Sequence, residues 1–383
     1  MSEHALLAPS AAHRWVECPG SAVLAQCYPQ EEGPEAREGT AAHWAMQEML
    51  LDRMVAEGLI AENGVPLTRE MIEAAEVLVD DVRATVQRAT ALGDAGIKVE
   101  QRVAIPRIHN FHCWGTPDVS GWLPGFTLHV WDFKYGHRVV DAFENWQLMC
   151  YVAGLLDAAK EAWMHQAGVT DERVKVVMTV VQPRAPHREG SVRRWAVQGA
   201  DLRAYFNRLE MSAEVAMSPA PPTKAGPWCR DCAARRGCET LTRAAAGVMD
   251  DMGGITPLDL TPEQAGLELR NLARASEVLN ARKAGLEEQV EHMLKAGKAI
   301  PFWRIAQEPG REVWTAPAAQ VIAMGAMMEV DLAKPREALT PNQARKAGLA
   351  PELVATMASR PMAALKLVAD DGREARQVFG SGS

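Results

Sequence analysis

Residues 121–136, GWLPGFTLHVWDFKYG, decide the fold. Two β-prone runs, 113–123 and 126–134, flank Pro124-Gly125, a tight-turn dipeptide, and so read as hairpin partners. The second run ends in Asp132-Phe133-Lys134. Side chains alternate between the two faces of a strand, so this acid and this base project from the same face.

Working outward, IKVEQRVAI (97–105) reads as a further strand before the hairpin, and a helix over about 141–158 follows it. VKVVMTVVQP (174–183) is a continuous apolar run, the pattern of a strand covered on both faces, and RRWAVQ (193–198) adds an edge strand. Helical patterns occupy 10–27, 36–58, 68–92 and 200–217, the third opening at Thr68 with Glu70 and Glu73 in its first turns. The expected class is therefore α/β, a mixed central sheet flanked by helices. Proline-rich SPAPPTKAGP (218–227) is a stiff connector to a compact cysteine segment. A main domain over 1–245 and a mostly helical C-terminal module over 250–383 are expected. The module holds a long helix at 261–297, a hairpin around FWRIAQEPGREVW and helical pieces to about 370, and the terminal GSGS reads as a flexible tail.

The chain has 383 residues, 48% of them hydrophobic and 23% charged, a globular composition. A net charge of −8 argues against a generally basic nucleic-acid coat, although a local basic groove depends on distribution rather than on the sum. The start, MSEHALLAPSAAHRW, has neither the basic region nor the apolar core of a signal peptide, and no apolar run is long enough for a membrane span. A cytoplasmic protein with no membrane partner is expected. Seven cysteines there are poor material for disulfides, so their spacing carries the information.

Asp118, in GTPDVSGW, lies on the strand before the one that ends in Asp132, so the hairpin brings two carboxylates together. Paired carboxylates need a cation, and oxygen ligands suit Mg²⁺ or Mn²⁺. Such an ion polarises a phosphoryl oxygen, and an ammonium group such as Lys134 orients a nucleophile or stabilises developing charge. WCRDCAARRGC places Cys229, Cys232 and Cys238 in a C-x2-C-x5-C arrangement that implies a soft ion and a fourth ligand. Arg230, Arg235, Arg236 and Lys224 make this segment locally basic. Cys113 and Cys150 fall in core elements, and Trp114 and Trp131 are candidates for base stacking or, more simply, for core packing.

Pro117-Asp118 followed by Asp132-Phe133-Lys134 resembles the PD-(D/E)XK nuclease superfamily, and further residues narrow the likeness to its RecB-like clade. Gly39, Thr40 and His43 in GTAAHWAMQEML resemble the clade's histidine motif at a helix start, and Gln147 and Tyr151 in NWQLMCYVAG resemble its Gln-x-x-x-Tyr helix. The likeness extends over residues 8–245, and the whole arrangement resembles uncharacterised phage and prophage proteins of this clade. One departure is Asp132, where many relatives carry Glu.

The resemblance implies a restriction-endonuclease-like core and a metal-dependent DNA nuclease, an exonuclease or end-processing enzyme, acting on single-stranded DNA or DNA ends in phage recombination or replication. It implies that His43, Asp118, Asp132 and the Phe133 carbonyl hold the metal, with Glu100 as an additional candidate. Lys134 would position water, with Gln147 and Tyr151 orienting the scissile strand. Iron-sulfur members of the clade, among them CRISPR-adaptation exonucleases and the AddB subunit of helicase-nuclease complexes, place one cysteine before the core and three after it. On that likeness Cys18 joins Cys229, Cys232 and Cys238 around a [4Fe-4S] cluster, with Zn²⁺ as the alternative and Cys27 as a substitute for Cys18. A different class of function, a DNA-binding recombination-accessory protein built on the same scaffold, is the alternative.

Overall fold

The computed structural model describes residues 5–28, 33–163, 173–251 and 260–305, with residues 323, 376 and 377. In chain order the elements are α1 (Ala12–Trp15), α2 (Ser21–Leu24), α3 (Pro34–Leu50), α4 (Arg69–Thr90), β1 (Gly96–Val99), β2 (Val103–Ala104), β3 (Trp114–Gly115), β4 (Val119–Leu123), β5 (Thr127–Phe133), α5 (Trp146–Trp163), β6 (Lys175–Val181), β7 (Val192–Gln198), α6 (Arg203–Ala216), α7 (Glu239–Asp251) and α8 (Pro262–Lys295). Five strands form one mixed sheet in the order β1-β4-β5-β6-β7, and β2 and β3 pair separately. Only the β5·β6 pairing in the large sheet is parallel. Two parallel neighbours need a crossover, and α5 supplies it.

The central strand β5 is buried from Leu128 to Phe133, which is why its sequence is nearly continuous in apolar character. Its alternate side chains enter two cores. Leu128 and Val130 pack with α5, α6 and the N-terminal helical turns, whereas Trp131 and Phe133 pack with α3 and α4. The α/β class with a mixed sheet between helices, and a helical C-terminal region, is thus the observed architecture.

Several elements are shorter than their patterns. The helical run expected over 10–27 is broken around Pro19 and Gly20 into α1, α2 and short 3-10 turns. A Cβ at Gly20 would lie 2.6 Å from the Pro221 carbonyl oxygen, so the chain turns there against the proline-rich connector. The strand expected over 97–105 is cut at Glu100, which adopts φ +47°, and that expected over 113–123 is cut before Pro117. Thr68 caps α4 as its sequence indicates, its side chain accepting from the Met71 N–H at 3.2 Å.

Two compact units are distinguished: Met1–Lys298 with Gly372–Ser383, and Ala299–Asp371. The long helix α8 therefore groups with the first unit, and the division falls after Lys298 rather than near 250. The reason is packing, since Val278 and Ala281 are buried with Cys229, Leu241 and Ala245. Arg282 donates to the Arg236 carbonyl at 3.1 Å, and Arg235 pairs with Glu288. In the second unit, residues 299–305 and 323 are described, with an isolated bridge between Ile300 and Trp303. The remainder of the expected hairpin and the helical pieces to 370 lie outside the described residues.

His129 on β5 stacks on Trp131 with ring centroids 3.6 Å apart and shares a 2.7 Å hydrogen bond with Thr179 Oγ1. Burial, aided by the charge of Arg194, pushes its pKa down to about 3. In the unfolded chain a histidine takes its proton near pH 6.5, so between these values the unfolded state holds the extra proton and stability falls as pH falls. Urea unfolding is expected to show wild type losing about 2 kcal/mol more than His129→Gln between pH 7 and pH 5. Equal losses would contradict a neutral, buried imidazole.

Candidate active site

Val119 on β4 faces Trp131 on β5, so the next positions outward, Asp118 and Asp132, occupy neighbouring strands at the same end of the sheet. Asp118 Oδ2 accepts the Phe133 N–H at 2.6 Å, and Oδ1 lies 3.3 Å from His43 Nδ1. His43, like Gly39 and Thr40, lies in the interior of α3 rather than at a helix start. Ala41, Ala42 and Ala45 are fully buried on that helix, and these small side chains let its backbone approach the sheet. The His43 ring then sits 5.1 Å from the Phe133 ring.

Glu100 joins the same place. Its N–H donates to the Asp118 carbonyl at 3.0 Å, and its left-handed backbone, uncommon for a residue with a side chain, ends β1 there. One ligand atom each from His43, Glu100 and Asp118 lies within 4.8 Å of the others. Asp132 falls outside this trio. It is held by Lys134 Nζ, 3.1 Å from Oδ1 and 3.0 Å from Oδ2, and by Gln147 Nε2, which donates to Oδ1 at 2.9 Å. Lys134 also donates to Gln147 Oε1 at 3.0 Å, and Gln147 Nε2 reaches Tyr151 OH at 3.4 Å. The acid and base at the end of β5 share the strand face that looks toward α5, which presents an amide and a phenol one turn apart.

Electrostatics separate the acids. Burial raises Asp132 to about 6 against the pull of Lys134, with Asp118 adding to the rise. Burial, followed by the Asp118 charge, raises Glu100 to about 7. Asp118 is also buried, but the opposing charges of His43 and Lys134 outweigh that and hold its carboxyl below the usual range. Burial disfavours the His43 cation, yet Asp118 overcomes it and raises the imidazole. Tyr151 is raised by burial and by the Asp132 and Asp118 charges, so it acts as a neutral hydroxyl.

The residues present fit a hard divalent cation. Two carboxylates and one imidazole converge, a donor set compatible with Mn²⁺ or Mg²⁺. Asp132 Oδ2 is buried and makes no hydrogen bond of normal geometry, although the Lys134 ammonium is beside it, so one lone-pair direction is open. Phe133 contributes its N–H to Asp118 rather than to solvent.

The cysteines occupy a second locality. Cys18 Sγ accepts the Lys224 N–H at 3.2 Å, and Cys229 Sγ accepts the Gly226 N–H at 3.4 Å. Burial pushes the Cys229 thiol up to about 11; the Gly226 N–H opposes this, and the charges of Cys18, Cys232 and Cys238 all add to it. All four are therefore within electrostatic reach. No three cysteine sulfurs among the described residues come within 4.8 Å of one another. A tetrahedral zinc site with bonds of about 2.3 Å would set them about 3.8 Å apart, so the compact zinc arrangement is not formed. Cys27 is exposed, while Cys113 and Cys150 are buried in the core as their setting indicates. Trp131 is also fully buried, its Nε1 donating to Asp81 at 3.0 Å, which assigns it to packing.

Two residues the sequence reading passed over hold the loop between Lys134 and α5. Gln182 Nε2 donates to the Gly136 carbonyl at 2.7 Å and the Arg138 carbonyl at 2.6 Å, while its Oε1 accepts from the Val140 N–H at 2.9 Å and from Arg193 at 2.7 Å. Arg193, 2% exposed, also donates to the Val140 and Gly190 carbonyls. The available signal was the amide that ends an otherwise apolar strand run, VVQP. Arg138 in turn bonds Asp231, between Cys229 and Cys232, at 2.5 Å, and Arg14 donates to the Asp231 carbonyl at 3.1 Å.

Fold and site together define a mixed α/β protein with a candidate metal-binding cluster at one end of its central sheet. The chain belongs to the family described as Protein of unknown function (DUF2800), whose model matches residues 4–373. No helix among the described residues is long and apolar enough to cross a membrane.

Proposed function

We propose that this protein is a divalent-metal-dependent deoxyribonuclease of the RecB-like PD-(D/E)XK type, cutting single-stranded DNA or DNA ends in phage recombination or replication. The observation that carries the reading is the convergence of His43, Glu100 and Asp118 beside an Asp132-Lys134 pair bridged by Gln147. His43, Glu100 and Asp118 would hold the ion, with Asp132 and the Phe133 carbonyl as the neighbouring oxygens. When bound, a divalent cation supplies Lewis acidity toward a phosphoryl oxygen and lowers the pKa of a water. Lys134 orients the attacking water and offsets charge that builds on the phosphate, while Gln147 fixes the ammonium against Asp132. The Tyr151 hydroxyl, kept neutral, is a donor for the scissile strand.

Cys18, Cys229, Cys232 and Cys238 would hold a [4Fe-4S] cluster, which supplies a covalent clip between the N-terminal turns and the segment after the core. The N–H groups of Lys224 and Gly226, which point at the Cys18 and Cys229 sulfurs, suit thiolate ligands of either ion type, with Zn²⁺ as the alternative. Anaerobically purified protein is expected to be coloured and to contain iron; colourless protein with stoichiometric zinc would replace the cluster by zinc.

The central test is cleavage of end-labelled single-stranded and duplex DNA with Mn²⁺ or Mg²⁺. Wild type is expected to cut and Lys134→Met to lose about a hundredfold or more in rate while binding the same DNA. A wild type that binds DNA without cutting under any divalent ion would make this a recombination-accessory protein instead.

A further inference from the structure

We propose that the β2–β3 hairpin is a stacking platform for an unpaired DNA strand, built from Arg102, Trp114 and Phe111; this rests on the nuclease reading above and assigns the strand its path beside the metal site. The two ends of the hairpin connect directly to site residues. Arg102 follows Glu100 by two residues and Trp114 precedes Asp118 by four, so even a fully extended chain keeps their Cα atoms within about 7 Å and about 14 Å of those acids. The hairpin also touches α5 at the site. A Cβ at Gly115 would lie 2.9 Å from the Tyr151 ring, so only glycine lets β3 lie on that tyrosine.

Trp114 is half-buried, and the exposed Arg102 guanidinium lies over its ring at 3.6 Å from the centroid. Arg102 makes no ion pair or side-chain hydrogen bond with any described residue. A guanidinium seated on an indole and exposed to solvent brings together a cation suited to a phosphate and a planar group suited to a base. Phe111, farther along the hairpin loop, is 81% exposed.

That exposure does not come from a loosely held loop. Ile105, Ile108 and Cys113 are buried beneath it, and the Ile105 N–H bonds the Cys113 carbonyl at 3.0 Å. Arg107 is paired with Asp157 on α5, and the Leu7 N–H bonds the His112 carbonyl at 2.9 Å. Gly154 on α5 receives the Ala104 carbonyl where a Cβ would stand 2.6 Å away. An anchored loop that keeps a phenyl ring in water, three residues along the chain from an aromatic plane capped by a cation, matches the combination that unpaired nucleotides require: π-faces for bases and positive charge for the backbone. Duplex DNA, with its bases already stacked internally, gains nothing from such a surface.

The test uses the full chain in EDTA, with anisotropy of a labelled single-stranded thymidine oligonucleotide and of a blunt duplex. Wild type is expected to prefer the single strand, and Arg102→Ala and Phe111→Ala each to weaken that binding about tenfold while duplex binding stays within about twofold. Both positions are exposed, and circular dichroism on each variant verifies the fold. Unchanged single-strand affinity in both variants, an equal loss on duplex, or a wild type with no single-strand preference would overturn the platform. Hydrolysis of bis(p-nitrophenyl) phosphate with Mn²⁺ is measured alongside, because that small diester has no strand to stack. Wild-type turnover with unchanged oligonucleotide binding in the variants sinks the platform alone; no turnover of either the diester or DNA sinks the nuclease reading.

Discussion

Asp118→Asn is expected to eliminate metal-dependent hydrolysis, a loss of about a thousandfold or more, and to abolish the stabilisation that Mn²⁺ gives the wild-type protein. At a free concentration a hundredfold above its dissociation constant, a ligand that binds only the folded state adds about 2.7 kcal/mol to the unfolding free energy. The isosteric change is chosen for its selectivity. An asparagine oxygen can still accept the Phe133 N–H, which is 2.6 Å from Asp118 Oδ2, so the strand end keeps its main-chain bond. The charge that His43 and a cation would share is removed. Thermal unfolding with and without Mn²⁺ reads binding independently of turnover. The same Mn²⁺-induced shift in Asp118→Asn as in wild type would remove Asp118 from the metal site and with it the proposed mechanism.

Gln182→Leu carries the second large effect, on stability, with an expected cost of about 3–5 kcal/mol. Four hydrogen bonds end on this one side chain: the Gly136 and Arg138 carbonyls, the Val140 N–H and the Arg193 guanidinium. Leucine has similar bulk but leaves all four partners facing an apolar group, and each buried group stranded in this way costs about 1–3 kcal/mol, less where the loop can relax toward water. Arg193 matters most, because it is almost completely buried and its remaining bonds are to carbonyls. The loop that these bonds fix joins Lys134 to the start of α5, so activity is expected to fall with stability. Urea denaturation decides it. A midpoint shift worth less than about 1 kcal/mol would mean that the loop finds its shape without this hub.

The readable parts of the fold were those with a local signature. The buried run of β6, the hairpin around Pro124-Gly125, the capped start of α4 and the long helix ending near residue 295 all follow from periodicity, turn chemistry and capping. Breaks were harder. Glu100 looks like an ordinary strand residue in KVEQRV, and its N–H still pairs with the Asp118 carbonyl, but its left-handed backbone ends β1 there and nothing in the local pattern marks that turn. The same contact turns Glu100 from a weak candidate into a member of the cluster. Asp132 shows the converse: its place on the strand was legible, but its partners, Lys134 and Gln147, depend on how α5 packs across the sheet end. Gln182 and Arg193 were passed over because a buried polar hub leaves no repeating pattern, only one amide and one guanidinium in unremarkable strands.

By itself the sequence determined the α/β class, the two acids on adjacent strands, the lysine sharing a face with the second of them, and the spacing of Gln147 and Tyr151 on one helix, because all of these follow from short-range periodicity. Only the tertiary structure decided which acids cluster with His43, that the N-terminal turns and α8 both meet the cysteine segment, that Phe111 stays in water, and that Arg102 lies over Trp114. Those features join residues far apart in the chain. They are set by burial and by the need of buried polar groups for partners, and no local stretch encodes either.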